Sequence, residues 1–402
     1  MILIANLAEA GDEPAADEKS VATLARANNA FAIDLYQKLA AQPGNICLSP
    51  YSVSSAFGLV LAGAKGETAD AIRKTLRLGE FPAEKPEVIH QAFRLLRSNV
   101  TTSAEGCTVS IANVCWLSKE AAFQKEFSDI AKASYDADLA QLDFAHDPGS
   151  ARLIINTWIE ANMHGNIKDT IGALDKQTEW VLANAICFND KWASEFKRES
   201  TKPKYFHPGG DTTESVSMMT QELYFQYTRD DQCQILELPY IGGKLSMVVL
   251  LPIKMDGLPE LEKALTAEWL EKHLTKLQKT AVVASLPRFN FGSRFELNET
   301  LQTLGMKLAG DFSGISAVKV GISLVVHQCY VDVNESGTVA AAATVVIAAK
   351  NGGGHPEHFN ADHPFIFLIR DVKSGALLFM GRVTDPNLST EQPTEEKREP
   401  KK

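Results

Sequence analysis

Between Glu335 and Ala349 the chain reads Glu-Ser-Gly-Thr-Val-Ala-Ala-Ala-Ala-Thr-Val-Val-Ile-Ala-Ala, then breaks at once into Lys-Asn-Gly-Gly-Gly-His-Pro. From Thr338 to Ala349 no side chain is charged and none is larger than isoleucine. Small and β-branched residues without charge make a ribbon that either face of a sheet can bury. Left exposed, it would template aggregation, a hazard that native chains normally break with charge or proline. A strand-forming run that ends in a glycine loop points to a segment with two places to be.

The rest of the chain is that of an ordinary globular protein. Its 402 residues, 45% hydrophobic, are ample for a large core in a mixed fold. The net charge of −10 argues against nucleic acid as the main partner, and Lys65, Arg73, Lys74 and Arg77 read as a solvated helix face. No apolar run reaches membrane-spanning length, so no membrane partner is expected, and the N-terminus lacks the basic start of a signal peptide. The six cysteines show no Cys-x-x-Cys spacing and sit in apolar surroundings, as buried thiols do.

Helical spacing of Leu24, Phe31, Leu35 and Leu39 opens the folded part, and Ser52–Ala64 presents Phe57, Val60, Leu61 and Ala64 together. Further helices are expected at Pro86–Arg97, Ala121–Ser134 and Ala151–Met163. Strands are expected at Thr178–Phe188, Lys244–Leu251, Val282–Leu286, Ile322–Val333, Pro364–Arg370 and Leu377–Val383, all rich in β-branched and aromatic residues. Helices early, strands late and no βαβ alternation predict one α+β domain, residues 21–386, built on mainly antiparallel sheets. An acidic, alanine-rich lead (residues 1–20) and a polar tail (387–402) are expected not to pack.

Enzyme motifs are missing: there is no Gly-x-Ser-x-Gly elbow, no His-Glu-x-x-His, and Gly58 to Lys65 falls short of a phosphate loop by an interposed alanine. His355, Glu357, His358, Asp362 and His363 hold the residue types of a zinc site, but the adjoining glycines fix no ligand geometry, and a polar loop leading into a strand is the simpler reading.

Several motifs in order carry a resemblance. Asn45-Ile-Cys-Leu-Ser-Pro-Tyr-Ser-Val-Ser-Ser-Ala-Phe is followed by Gly63-Ala-Lys-Gly-Glu-Thr, then Asn184-Ala-Ile-Cys-Phe-Asn-Asp-Lys-Trp192. Leu286-Pro-Arg-Phe, Asp311-Phe-Ser-Gly-Ile, Val331-Asp-Val-Asn-Glu, Ala361-Asp-His-Pro-Phe and Phe379-Met-Gly-Arg-Val-Thr-Asp-Pro386 come after. From about Leu24 to Pro386 the chain resembles the serpins. The resemblance implies about nine helices around three mainly antiparallel sheets, with an exposed reactive-centre loop at about 335–360. It also implies a suicide-substrate inhibitor of serine or cysteine proteases. A protease attacks the loop, which then inserts into the large sheet as an extra strand, a mechanism that belongs to the family.

By that matching the hinge is Glu335, Gly337, Thr338, Val339, Ala340, Ala341, Ala342 and Ala343; the shutter beneath the large sheet is Ser49, Ser52, Asn184 and His327; and Trp192 is a core aromatic at the breach, where the sheet opens. On a period of two, Thr338, Ala340, Ala342, Thr344, Val346 and Ala348 share one face, with nothing on it to block burial. The family's usual spacing from Gly337 puts the reactive bond at Asn351–Gly352; Lys350–Asn351 would suit a trypsin-like enzyme, and cleavage after Ala349 or Ile347 an elastase-like one. Val339 stands where a glutamate is usual and Ser336 where an acid is frequent. The expected partner is a target serine protease, held as an acyl-enzyme. No cofactor or metal is called for, and Pro86–Arg97 lacks the basic density of a heparin site. The expected state is a monomer, with loop–sheet polymerisation as its failure mode. Extracellular action follows only by family analogy, and a non-inhibitory chaperone or carrier is the alternative; a charged or bulky residue at Thr338 or in the alanine run would have favoured it, and none is present.

Overall fold

The computed structural model describes residues 14–101, 108–162, 171–209, 212–338 and 355–388. Its helices are α1 (Pro14–Leu39), α2 (Pro50–Gly63), α3 (Gly66–Thr75), α4 (Glu87–Thr101), α5 (Lys125–Ile130), α6 (Pro148–Asn162), α7 (Leu258–Ala264), α8 (Ala267–Leu274) and α9 (Asn298–Thr303). Its strands are β1 (Ile46–Leu48), β2 (Thr108–Ser118), β3 (Asp138–Leu142), β4 (Trp180–Lys191), β5 (Lys202–Gly209), β6 (Thr212–Arg229), β7 (Cys233–Pro239) and β8 (Leu245–Pro252). They continue with β9 (Gln278–Pro287), β10 (Phe289–Glu296), β11 (Leu324–Val333), β12 (Gly337–Thr338), β13 (Glu357–Asn360), β14 (Phe365–Asp371) and β15 (Leu377–Val383).

Two sheets carry these strands, and most pairings are antiparallel, as an α+β fold requires. One sheet has the order β10-β11-β4-β2-β3, with β12 attached to β4. The other has nine strands. In it β5 and β9 pair with one part of β6 and β13 lies beyond β9, while β7 takes up the end of β6 and leads on to β8, β14, β15 and β1. The two smaller sheets expected from the sequence are thus joined along β6, which is 18 residues long.

Helix α2 is the axis of the core. All of it is buried except Ala56 and Ala62, with apolar residues and three small serines, Ser52, Ser54 and Ser55, turned into the core. Ser49 caps its start by accepting from Ser52 N–H at 3.2 Å. At its end Gly63 lies against Gly314, where a Cβ would meet backbone atoms below 3 Å. The six-stranded sheet separates this core from a second apolar layer of Trp116, Phe144, Ile155, Ile159 and Val181 beneath α6. Strand β4 shows the alternation: Leu182, Ile186 and Phe188 face the main core, while Val181, Ala183 and Ala185 face α6.

The N-terminal boundary moves from its expected place. Helix α1 starts at Pro14, inside the lead that was expected not to pack, because Pro-Ala-Ala-Asp-Glu-Lys-Ser is a good helix start and Glu18 reaches Lys373 at 2.8 Å. The helix expected at Ala121–Ser134 is shorter, with α5 passing into a π turn at Ala131–Tyr135. The cysteines Cys47, Cys115, Cys233 and Cys329 are buried. Burial pushes the Cys115 thiol up to about 12, which leaves it unreactive.

Candidate functional site at the seam of the six-stranded sheet

Strands β11 and β4 run parallel, in register from Leu324↔Val181 to Tyr330↔Cys187. Beyond those pairs they part. At the end of β11 the chain turns back, with Asn334 N–H donating to Gly337 O at 2.8 Å and Gly337 N–H returning to Asn334 O at 3.2 Å. Gly337 and Thr338 then run antiparallel to β4, paired with Lys191 and Asp190. Three residues of the expected hinge, Glu335, Gly337 and Thr338, therefore stand at the mouth of the seam. Val339, Ala340, Ala341, Ala342 and Ala343 lie outside the described residues, as do Lys350, Asn351 and Gly352 of the expected reactive bond.

Each residue at the mouth is held for a physical reason. Gly337 has φ +137, and a Cβ there would sit 2.2 Å from Asp190 O and 2.6 Å from Lys191 Cα, so only glycine fits. Thr338 is fully buried, its hydroxyl 3.2 Å from Tyr240 Oη. Trp192 stacks on Tyr240 with centroids 4.6 Å apart, and its Nε1–H donates to Asn334 O at 3.0 Å. Its ring is buried in the main core. The Glu335 carbonyl accepts from Phe196 N–H at 2.8 Å, and its carboxylate accepts from Thr201 Oγ1 at 2.7 Å.

Lower in the seam, one polar group on each of three neighbouring strands points into the main core. His327 and Asn184 are register partners across β11 and β4, and Asn113 is the partner of Asn184 on β2. All three are buried. His327 Nε2 accepts from Ser49 N–H at 2.9 Å, so Nδ1 carries the proton and donates to Asn184 Oδ1 at 2.7 Å. The Asn184 amide donates to Ser52 O at 3.0 Å and to Asn113 Oδ1. Ser49 Oγ donates to Leu378 O on β15 at 2.6 Å. The four residues singled out in the sequence are thus brought together, with one change: Ser52 contributes its carbonyl, and its buried hydroxyl has no partner among the described residues. Asn113 was not singled out, although an asparagine inside the apolar run Ile111-Ala-Asn-Val-Cys-Trp is the kind of signal that marks a buried polar contact.

Burial pushes the His327 imidazole down from 6.5 to about 3. His90, buried beside Tyr135 Oη at 2.7 Å, is pushed down to about 4, again chiefly by burial. Unfolded, both titrate near 6.5, so below that pH the unfolded chain binds more protons and native stability falls toward the folded values. Lowering the pH from ~7 to ~5 is expected to cost about 2 kcal/mol per histidine, read from guanidinium denaturation midpoints at the two pH values. His90→Gln should remove its share of that dependence.

Among the described residues no three His, Cys, Asp or Glu side chains are grouped to hold an ion. His363 is instead turned inward, bonded to Asp362 Oδ1 at 2.8 Å and Pro252 O at 2.9 Å.

Known proteins share this arrangement of strands. The chain is 36% identical over 388 residues to human Serpin B4, covering 90% of this chain and 100% of the relative. It is 38% identical over 381 residues to leukocyte elastase inhibitor A of Rattus norvegicus, covering 90% and 99%. The crystal structure of uncleaved ovalbumin superposes with a TM-score of 0.82 at 28% identity, covering 90% of this chain and 100% of the other. A family profile described as Serpin (serine protease inhibitor) matches residues 26–386. The chain belongs to the serpin family.

Proposed function

We propose that this serpin is a suicide-substrate inhibitor of serine proteases, cysteine proteases being the second class it could take. One observation carries the reading: Gly337 and Thr338 already occupy the mouth between β4 and β11, pointed down the seam in the antiparallel direction that an inserting strand needs. The protease serine attacks a loop carbonyl, the peptide bond breaks, and the acyl-enzyme stays attached to the segment that follows Thr338. Insertion then replaces one parallel ladder, Leu324–Tyr330 on Val181–Cys187, with two antiparallel ladders, the more stable pairing per residue. The small face expected from Thr338 to Ala348 meets no steric barrier, and the chain supplies no catalytic group of its own. The native form is a kinetically held monomer, and pairing of the loop with another copy's seam is its route to polymers.

Thr338 is the residue on which this reading is most exposed. Arginine at this fully buried position would bury an unpaired charge at a cost of several kcal/mol. Thr338→Arg is therefore expected to be cleaved as a substrate without forming complex, as measured by the moles of inhibitor consumed per mole of protease inhibited. Retained inhibition would contradict the role given to Thr338. Mass spectrometry of the released C-terminal peptide assigns the bond: a peptide starting at Gly352 is expected, a start at Asn351 moves the bond to Lys350, and any other start contradicts both.

A further inference from the structure

A cavity of about 390 Å³ opens beside the hinge, lined by Arg198, Thr201, Arg288, Asn334 and Glu335. Its two guanidinium groups have donors to spare. Arg198, exposed on the turn Arg198–Ser200, forms no ion pair among the described residues. Arg288 is half exposed, and its one ion pair among the described residues is the 3.5 Å approach of Nε to Glu335 Oε2. The Arg288 charge also acts on Asp332. Lys197 and Lys202, both exposed, add positive charge on the Arg198 side.

Two planar forks facing one cavity are suited to an oxyanion, because a guanidinium binds carboxylate or phosphate oxygens through paired N–H donors. The carboxylate already there cannot use them both: Glu335 is held by Thr201 on one oxygen and meets Arg288 only at a long distance on the other. We propose that this cavity is a binding site for a small oxyanion of the phosphate or sulfate type, bridged by Arg198 and Arg288 and competing with Glu335 for Arg288. Binding there draws away one of the ties on the first hinge residue, so the site couples anion concentration to how firmly the hinge is seated. The site and its test do not depend on whether the loop traps a protease.

Calorimetric titration with inorganic phosphate, at ionic strength balanced with sodium chloride, tests the site on the intact chain. One saturable site is expected. Arg198→Gln, which breaks no ion pair, should weaken binding about tenfold or more with an unchanged unfolding midpoint. Glu335→Gln should tighten binding because the competitor is gone, whereas the same change of charge at exposed Glu199 should not. A separate titration with a long polyphosphate distinguishes free anions from groups on a polymer: loss of its binding in Arg198→Gln supports the cavity for both sources. The proposal is overturned if phosphate gives no saturable binding, if Arg198→Gln binds like the parent, if Glu335→Gln and Glu199→Gln behave alike, or if polyphosphate binding survives Arg198→Gln.

Discussion

Replacing His327 with alanine is expected to lower native-state stability by about 3–5 kcal/mol, the range for a large buried deletion that also strands polar partners. The ring lies at the level where β2, β4 and β11 each contribute one polar group, and it joins the sheet to the start of α2. Its loss leaves a cavity, the Ser49 N–H without its acceptor and Asn184 Oδ1 without its donor. Because His327 and Asn184 face each other across β11 and β4, the same change removes a side-chain hydrogen bond that runs directly between those two strands. The seam should then open more easily, giving faster spontaneous insertion or polymerisation. Denaturation midpoints and monomer lifetime by size exclusion check both effects, and no change in either would contradict the account. Asn113→Ala, which removes one acceptor from Asn184 at the edge of the same network, should move in the same direction by less.

Gly337→Ala is expected to expel the hinge from the mouth of the seam. The positive φ alone costs an L-residue about 1–3 kcal/mol. The added methyl would in addition overlap Asp190 O, Lys191 Cα and Trp192 N, all backbone atoms of the paired strand, which cannot step aside as a side chain could. The β12 pairing with Lys191 and Asp190 should be lost, and Thr338 should leave its contact with Tyr240. Faster hydrogen exchange at the Trp192 amide, which donates to Ser336 O, and a changed Trp192 emission would report it. Insertion would then begin further back, so more of the inhibitor should be lost as cleaved substrate. Unchanged exchange at Trp192 would show that the glycine is not what seats the hinge.

Burial decided which parts of the fold could be read from sequence. Helix α2 and strands β4, β8, β11, β14 and β15 are largely buried and dominated by apolar residues because the core surrounds them, and they are found close to their expected limits. Strand β6 was missed, since much of its length is exposed and it alternates Thr, Ser, Glu and Gln with its few buried residues, a pattern that resembles loop. Strand β5 was missed for its lysines and prolines. Helix α1 begins earlier than expected because alanine-rich acidic sequence suits both a helix and a solvated lead. At the site, glycine at 337 and histidine at 327 were visible as residue types out of keeping with a strand, and the resemblance gave them places. What it could not give is contact between distant segments. Glu335 is fixed by Phe196, Thr201 and Arg288, far away in the chain, and Asn184 is completed by Asn113 from a strand whose beginning looks polar.

The central claim is that the segment seated at the top of the seam continues into it after cleavage and carries the protease along. Incubation of the intact chain with trypsin-, chymotrypsin- and elastase-like proteases, followed by denaturing electrophoresis, tests it most directly. The account predicts an SDS-resistant band with the combined mass of protease and inhibitor for at least one of them, absent for Thr338→Arg, which is cleaved instead. Clean cleavage of the parent chain by every protease, with no such band, would contradict it.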